Sequence, residues 1–280
     1  MRTIAHPVSP GVGISQWANY FRCRRDQLSF ASGWPLGTRQ NRARASTMDA
    51  RRRQNALKQV PILSGASEAS LERLARACKW REVEAGEQVV DNDDSSTDVY
   101  FLTAGKLRVI VYSLEGKAVQ FTDLKPGALF GEIAAIDRGA RSAAVEAIEA
   151  STVAWLSADQ FEDLLVKEPR IAVATLKHVA AEVRRLSERV VEFSTLVVQN
   201  RIHAELLRLA ADTGGKGKDI LLSPAPSLAD IAERVSTHRE AVSRELSRLA
   251  STGLLRREGA DLRIIDVERL ARLVREAKGE

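Results

Sequence analysis

The spacing of apolar residues changes along the chain and separates a strand-rich part from helical parts. Behind Ser67, a residue type that caps helices, apolar side chains recur at helical spacing and predict a helix over 67–79. From 80 to 156, alternation of apolar and charged residues around Leu107 is typical of half-buried strands. The predicted strands lie at 87–90, 99–102, 107–112, 119–124 and 153–156.

Glycines punctuate this strand-rich part at intervals of 11–19 residues, which predicts an antiparallel barrel or jelly roll. A cupin metal enzyme would share that shape. Cupins hold their metal with several histidines, however, and residues 60–160 contain none, so we expect no metal site here.

A long helix is predicted from Pro169, because proline is tolerated in the first helical turn. Its apolar residues step alternately by 3 and 4, a heptad seam typical of two helices paired in a coiled coil. The core helix of a monomer is the alternative, although its stripe would be wider. His178, beside the seam, is expected at the surface. The predicted dimer interface is Leu176, Val179, Val183, Leu186, Val190, Phe193 and Val197.

The C-terminal part predicts a helix-turn-helix followed by a wing. Ser227 and Asp230 form a capping-box pattern at the start of a helix over 227–235. A second helix follows over 238–250 and ends before Gly253. Its predicted inner face is Ala241, Val242, Leu246 and Leu249, and the wing strands are 254–257 and 262–265.

The second helix presents charged residues near its N-terminus, the end that helix-turn-helix proteins place against base edges. Arginine can pair bidentately with guanine, and glutamate can accept from the cytosine amino group. A solvated charged face on an ordinary helical hairpin is the alternative. The candidate DNA-binding residues are Ser227, His238, Arg239, Glu240, Ser243 and Arg244.

The segment 130–144 combines features suited to a cyclic nucleotide. Gly131 allows close backbone approach, and the following helical turn offers free N–H groups to an anion. Arg141 supplies a planar fork of donors for a phosphodiester, and Glu132 can accept hydrogen bonds from a ribose hydroxyl. A turn glycine and a surface arginine are the alternative interpretation. The candidate ligand residues are Gly131, Glu132, Ile133, Ala134, Arg141, Ser142 and Ala143.

The net charge of +5 on 280 residues is unevenly distributed. Residues 1–53 carry ten arginines against two aspartates, which makes them +8 and leaves −3 on the remainder. We expect this segment to be disordered, or translation to begin at Met48; an arm that touches nucleic acid and a transit peptide are other interpretations. The expected class is α+β, with an N-terminal extension (1–53), a β-roll (54–168), a dimerisation helix (169–199) and a winged helix-turn-helix domain (200–280).

Together these motifs resemble the CRP–FNR family of bacterial transcription regulators, in its cyclic-nucleotide-responsive branch, over about residues 54–270. The resemblance implies a cytoplasmic homodimer that binds cAMP, with cGMP possible, no other cofactor, and double-stranded DNA and RNA polymerase as partners. It implies that Arg239, Glu240 and Arg244 read a TGTGA-like half-site.

The same resemblance assigns Ser187 to a contact with the base across the dimer. Leu186 departs from the family pattern, which has a base-binding threonine there. The sequence therefore predicts weak discrimination between purines.

Other classes fit the sequence less well. The iron–sulfur and haem branches need a cysteine cluster or axial ligands, and the chain has only Cys23 and Cys78. The four histidines are scattered and suggest no catalysis. A regulatory module of an enzyme or channel shares the β-roll, but the terminal helix-turn-helix argues against it. A family regulator with a different effector, or one that is constitutively active, remains the alternative.

Overall fold

The computed structural model describes residues 44–45, 49–92, 94–112, 118–215 and 217–279, and the elements and contacts named for this protein lie within these ranges. Most of the predicted N-terminal extension lies outside them. Helix α1 (Ala50–Lys58) runs across the predicted boundary of this extension at residue 53. The Asp49 carboxylate caps this helix by accepting a hydrogen bond from the Arg52 amide at 2.8 Å.

The β-roll consists of two antiparallel sheets. One sheet has the strand order β1-β2-β9-β4-β7, and the other has the order β3-β8-β5-β6. The strands are β1 (Arg44–Ala45), β2 (Lys79–Val83), β3 (Gln88–Val90), β4 (Val99–Ala104), β5 (Leu107–Tyr112), β6 (Ala118–Leu124), β7 (Leu129–Phe130), β8 (Ala144–Ala147) and β9 (Ser151–Leu156).

Alternation of side chains along these strands builds two hydrophobic layers. Leu102, Leu107 and Val153 are buried in the layer that both sheets share. On the outer side of the first sheet, Phe101 and Phe161 are buried beneath the helices. These helices are α1, α2 (Glu68–Ala77), α3 (Glu132–Asp137) and α4 (Ala158–Lys167). The predicted jelly-roll arrangement is confirmed, whereas strands β1, β2, β7 and β8 were not predicted.

Helix α5 (Pro169–Thr195) begins at the predicted proline and is 27 residues long. It ends before the predicted residue 199, and the seam residue Val197 lies beyond it as the N-cap of the next helix. Most of the predicted seam is exposed in the single chain: Leu176 is 68% exposed, Val190 is 65% and Val197 is 63%. A different face of the same helix is polar and meets the rest of its own chain through His178, Arg185 and Arg189.

The C-terminal domain packs helices around a small sheet of strand order β10-β12-β11. Ile202, Ile231 and Leu249 are fully buried in its core. Its elements are α6 (Val198–Asp212), β10 (Ile220–Leu222), α7 (Leu228–Arg234), α8 (Arg239–Ser251), β11 (Leu255–Glu258), β12 (Asp261–Ile264) and α9 (Val267–Lys278). The helix-turn-helix and wing are as predicted, and the structure adds β10 and α9.

Candidate functional site: a nucleotide cassette and a recognition helix

Gly131 joins β7 to α3 in a conformation that other residues rarely adopt. Its φ is +81°, and a Cβ there would lie 2.7 Å from the Asp98 carbonyl oxygen and 2.8 Å from Arg141 Nη1. The glycine therefore permits both the turn and the close approach of the arginine.

Arg141 is buried and held in a fixed position. Its Nη1 donates to the Gly131 carbonyl at 3.2 Å, and its Nη2 donates to Ser96 Oγ at 2.8 Å. The guanidinium also lies 5.7 Å from the centroid of the Tyr100 ring. Among the residues that the structure describes, no hydrogen-bond acceptor meets its Nε. A buried cation with an unmet donor is suited to an anionic ligand.

The other candidate residues lie between Gly131 and β8 along the chain. Ser142 is exposed and Ala143 half-buried as the chain enters β8. In α3, Ala134 is buried whereas Ile133 is 45% exposed. The structure therefore brings Gly131 and Arg141 into contact, and places Glu132, Ile133 and Ala134 in α3 and Ser142 and Ala143 just before β8.

Glu132, the first residue of α3, is only 6% exposed. Burial raises the pKa of its carboxyl above the usual range, although its own backbone N–H, His178 and Arg141 favour the charged form. His178 Nε2 lies 3.8 Å from Glu132 Oε1. The prediction of a surface histidine is therefore wrong, because the heptad count identified the seam and not the face that meets α3.

Leu186 and Ser187 are exposed on α5. Ser187 Oγ donates to the Val183 carbonyl at 2.9 Å, within its own helix. On the face that meets the β-roll, the Arg185 guanidinium stacks 4.8 Å from the Phe121 ring centroid and its Nε donates to Glu182 at 3.1 Å. Sequence analysis missed this contact, because nothing local connects β6 to α5.

The predicted recognition helix is α8, and its outer side is open. His238 is its N-cap, and Arg239, Glu240, Ser243 and Arg244 are exposed. Ser227 caps α7 in a reciprocal box with Asp230, as predicted. The structure thus places all six candidate DNA-binding residues in the two helices of the motif or at their caps.

Two buried ion-pair clusters were not predicted. His203 Nε2 lies 2.5 Å from Glu245 Oε1, which joins α6 to the inner side of α8. Arg234 of α7 contacts Glu205 of α6 at 3.3 Å and Asp123 of β6 at 2.9 Å. Acidic residues at helix positions that the apolar pattern would bury were the available signal, but a sequence does not reveal their partners.

No group of histidine, cysteine or acidic residues in the described ranges could hold a metal ion. Within the same ranges, no helix is both long enough and apolar enough to span a membrane.

These features join a β-roll through a long helix to a winged helix-turn-helix, which is the architecture of a class of DNA-binding transcription regulators. The cyclic nucleotide-binding domain model matches residues 80–168, and the Crp-like helix-turn-helix domain model matches residues 200–273. The chain belongs to the CRP–FNR family of transcription regulators, which are not enzymes.

Curated relatives support this assignment. The chain is 24% identical to a CRP-like cAMP-activated global transcriptional regulator of Mycobacterium tuberculosis, over 78% of this chain and 98% of the relative. It is 28% identical to the cyclic AMP receptor protein of Thermus thermophilus, over 71% of this chain and 90% of the relative.

Solved structures show the same fold. CooA from Carboxydothermus hydrogenoformans matches with a TM-score of 0.65 at 18% identity, over 82% of this chain and 98% of the other. The c-di-GMP-responsive regulator CLP of Xanthomonas campestris matches with a TM-score of 0.62 at 18% identity, over 71% of this chain and 99% of the other.

Proposed function

We propose that this regulator is a homodimer that binds palindromic TGTGA-like sites when a cyclic nucleotide, cAMP or cGMP, occupies the β-roll. The buried Arg141 guanidinium carries the proposal. It is a fixed cation beside the Gly131 turn, and its Nε–H meets no acceptor within the described ranges, so it is suited to a cyclic phosphate. Glu132 would accept the ribose 2′-hydroxyl, and the Ser142 hydroxyl would assist at the phosphate.

Calorimetric titration with cAMP and cGMP tests this assignment. Arg141→Leu should abolish measurable binding, whereas Arg141→Lys keeps one charge but loses the planar fork, and should bind weakly. Arg138→Leu is a matched control, because Arg138 is exposed in the same segment and pairs with Asp159 and Glu162 instead. Unchanged affinity in Arg141→Leu would refute the assignment.

The exposed seam of α5 supports a homodimer. When a second copy covers apolar side chains at heptad spacing, the free energy of the pair falls by about 25 cal/mol for each Å² of apolar surface removed from water. We propose a β-roll that ends at residue 168, a dimer helix formed by α5 (Pro169–Thr195) and a DNA-binding domain that begins with α6 at Val198. As a DNA-binding regulator of this class, it would act in the bacterial cytoplasm with RNA polymerase as a further partner.

The exposed start of α8 supports base readout by Arg239, Glu240 and Arg244. Two recognition helices in a dimer would enter successive major grooves about 34 Å apart. Gel-shift assays with and without cyclic nucleotide test both the DNA binding and its control by the ligand.

Leu186 and Ser187 support only weak selection of the base. Leucine cannot hydrogen-bond a purine, and the Ser187 hydroxyl is already bonded to the Val183 carbonyl. We therefore propose that cAMP and cGMP bind within about two orders of magnitude of each other. Binding of neither nucleotide would favour the alternative, in which a different effector controls the regulator or it is constitutively active.

A further inference from the structure

The dimer helix α5 contributes a side chain to the nucleotide cassette of its own chain. His178 Nε2 lies 3.8 Å from Glu132 Oε1, and the two side chains are only 29% and 8% exposed. This separation is within the range of an ion pair but longer than a hydrogen bond, so a small movement of either group would bring them into direct contact.

The charges around Glu132 come from three elements. Arg141, from the loop after α3, favours the carboxylate, whereas Glu182 of α5 opposes it. Glu182 is itself neutralised by Arg185, one turn further along α5. Asp98, before β4, faces Arg141. His178 is therefore the group on α5 whose positive form would stabilise the charged state of Glu132.

We propose that His178 is a positioning residue for the ligand, which holds the Glu132 carboxylate toward the ribose 2′-hydroxyl. The inference rests on the proposed function, in which Glu132 binds the ribose. A protonated imidazole within about 4 Å favours the ionised carboxylate, which only accepts hydrogen bonds and so matches a donating hydroxyl.

The contact also gives the ligand a direct connection to the DNA-binding domain. On the same helix, Arg189 donates to Glu205 of α6 at 2.9 Å and to the Arg234 carbonyl of α7 at 2.6 Å. A ligand that draws Glu132 and His178 together would therefore act on the helix that carries Arg189. Because such coupling is reciprocal, DNA binding would in turn strengthen ligand binding.

A comparison of cAMP with 2′-deoxy-cAMP isolates this role. In calorimetry, His178→Gln should weaken cAMP binding by about threefold to tenfold, the range of a partly exposed charged contact. The same variant should bind 2′-deoxy-cAMP with the affinity of the wild type, since this ligand lacks the hydroxyl that Glu132 would bind. Lys177→Gln, at the exposed neighbouring position, is the matched control and should leave both affinities unchanged. Thermal unfolding of each variant verifies that it is folded.

A charge-retaining variant provides a second readout. His178→Lys keeps a positive charge facing Glu132 and should retain cAMP affinity, whereas His178→Gln should bind cAMP weakly.

The outcomes distinguish a positioning role of His178 from a packing role and from no role. Equal weakening of both ligands by His178→Gln would mean that His178 acts through packing, and unchanged cAMP affinity would mean that it has no role; either result would overturn the inference. Loss of binding in Arg141→Leu alongside normal binding in His178→Gln would leave the proposed function intact. If the wild type binds no cyclic nucleotide, the proposed function fails and the inference fails with it.

Discussion

Arg234 in the first helix of the helix-turn-helix lies 2.9 Å from Asp123 in the β-roll, and the two side chains are only 8% and 12% exposed. Arg234 also contacts Glu205 at 3.3 Å, and its carbonyl accepts a hydrogen bond from Arg189 of α5. One arginine therefore joins the β-roll, α5 and the winged helix-turn-helix domain. Any movement of one part relative to the others must preserve or exchange these buried pairs.

Asp123→Asn should destabilise the protein, because Asp123 balances Lys106, Arg108 and Arg234. Removal of one partner from a buried ion pair leaves uncompensated charge, and we expect the free energy of unfolding to fall by about 2–4 kcal/mol. Urea denaturation measures it. Glu233→Gln removes an exposed carboxylate from α7 and should change stability by less than about 0.5 kcal/mol. A similar effect of both substitutions would contradict this account.

Stability should decline in acid through the same cluster. Burial opposes ionisation of Asp123, but the Lys106 hydrogen bond and the charges of Arg234, Lys106 and Arg108 outweigh it and hold the pKa of Asp123 below its usual range. The charges of Arg208, Arg234 and Arg189 likewise outweigh burial and lower the pKa of Glu205.

Carboxyl groups whose pKa is lower in the folded state stabilise it fully above their unfolded pKa of about 4. That contribution is lost as pH falls through the lower, folded values. Urea midpoints measured from pH 6 downward should therefore decrease once the pH is below about 4. The decrease should be less steep in Asp123→Asn. An equal slope in the variant would exclude Asp123 as a source of the dependence.

Gly131→Ala should impair ligand binding beyond its cost in backbone strain. The added Cβ would collide with the Asp98 carbonyl and with Arg141 Nη1, and so displace the guanidinium. Gly86→Ala is a matched control, since Gly86 has a φ of +79° but a Cβ added there would meet no atom within 4 Å. We expect both variants to lose about 1–2 kcal/mol of stability from strain. Calorimetry should show at least about a tenfold loss of nucleotide affinity in Gly131→Ala alone.

Val190→Glu should dissociate the proposed dimer, because it places a charge in the middle of the apolar seam. Val190 is 65% exposed in the single chain, and Val166 of α4 is 75% exposed. Val166→Glu is therefore a control with the same chemistry outside the seam, and should stay dimeric. Sedimentation velocity distinguishes the two states. Dimers of Val190→Glu as stable as those of the wild type would place the interface elsewhere.

Arg239→Ala and Arg244→Ala should each weaken binding to a palindromic site by about 1–3 kcal/mol and relax preference at one base pair. Arg275→Ala, at an exposed position of α9, should leave DNA binding unchanged. Fluorescence anisotropy on a set of singly substituted sites measures both effects. Uniform weakening on every site would instead identify the two arginines as phosphate contacts.

Local chemistry made much of this protein predictable from its sequence. The Ser227 cap, the helix that begins at Pro169 and the positive φ of Gly131 each depend on residues within one or two turns of chain. The contact between Gly131 and Arg141 was predictable for the same reason, since the two residues are only ten positions apart. The heptad seam likewise follows from spacing along one helix.

Tertiary structure decided the contacts between distant segments. No periodicity indicates that His178 faces Glu132, that Arg185 lies over Phe121, or that Asp123 meets Arg234. In a sequence these residues look like ordinary surface charges, because charged side chains are mostly exposed unless they are paired. Their partners are fixed only when the sheets, α5 and the helix-turn-helix pack together, since burial is what makes each pairing necessary.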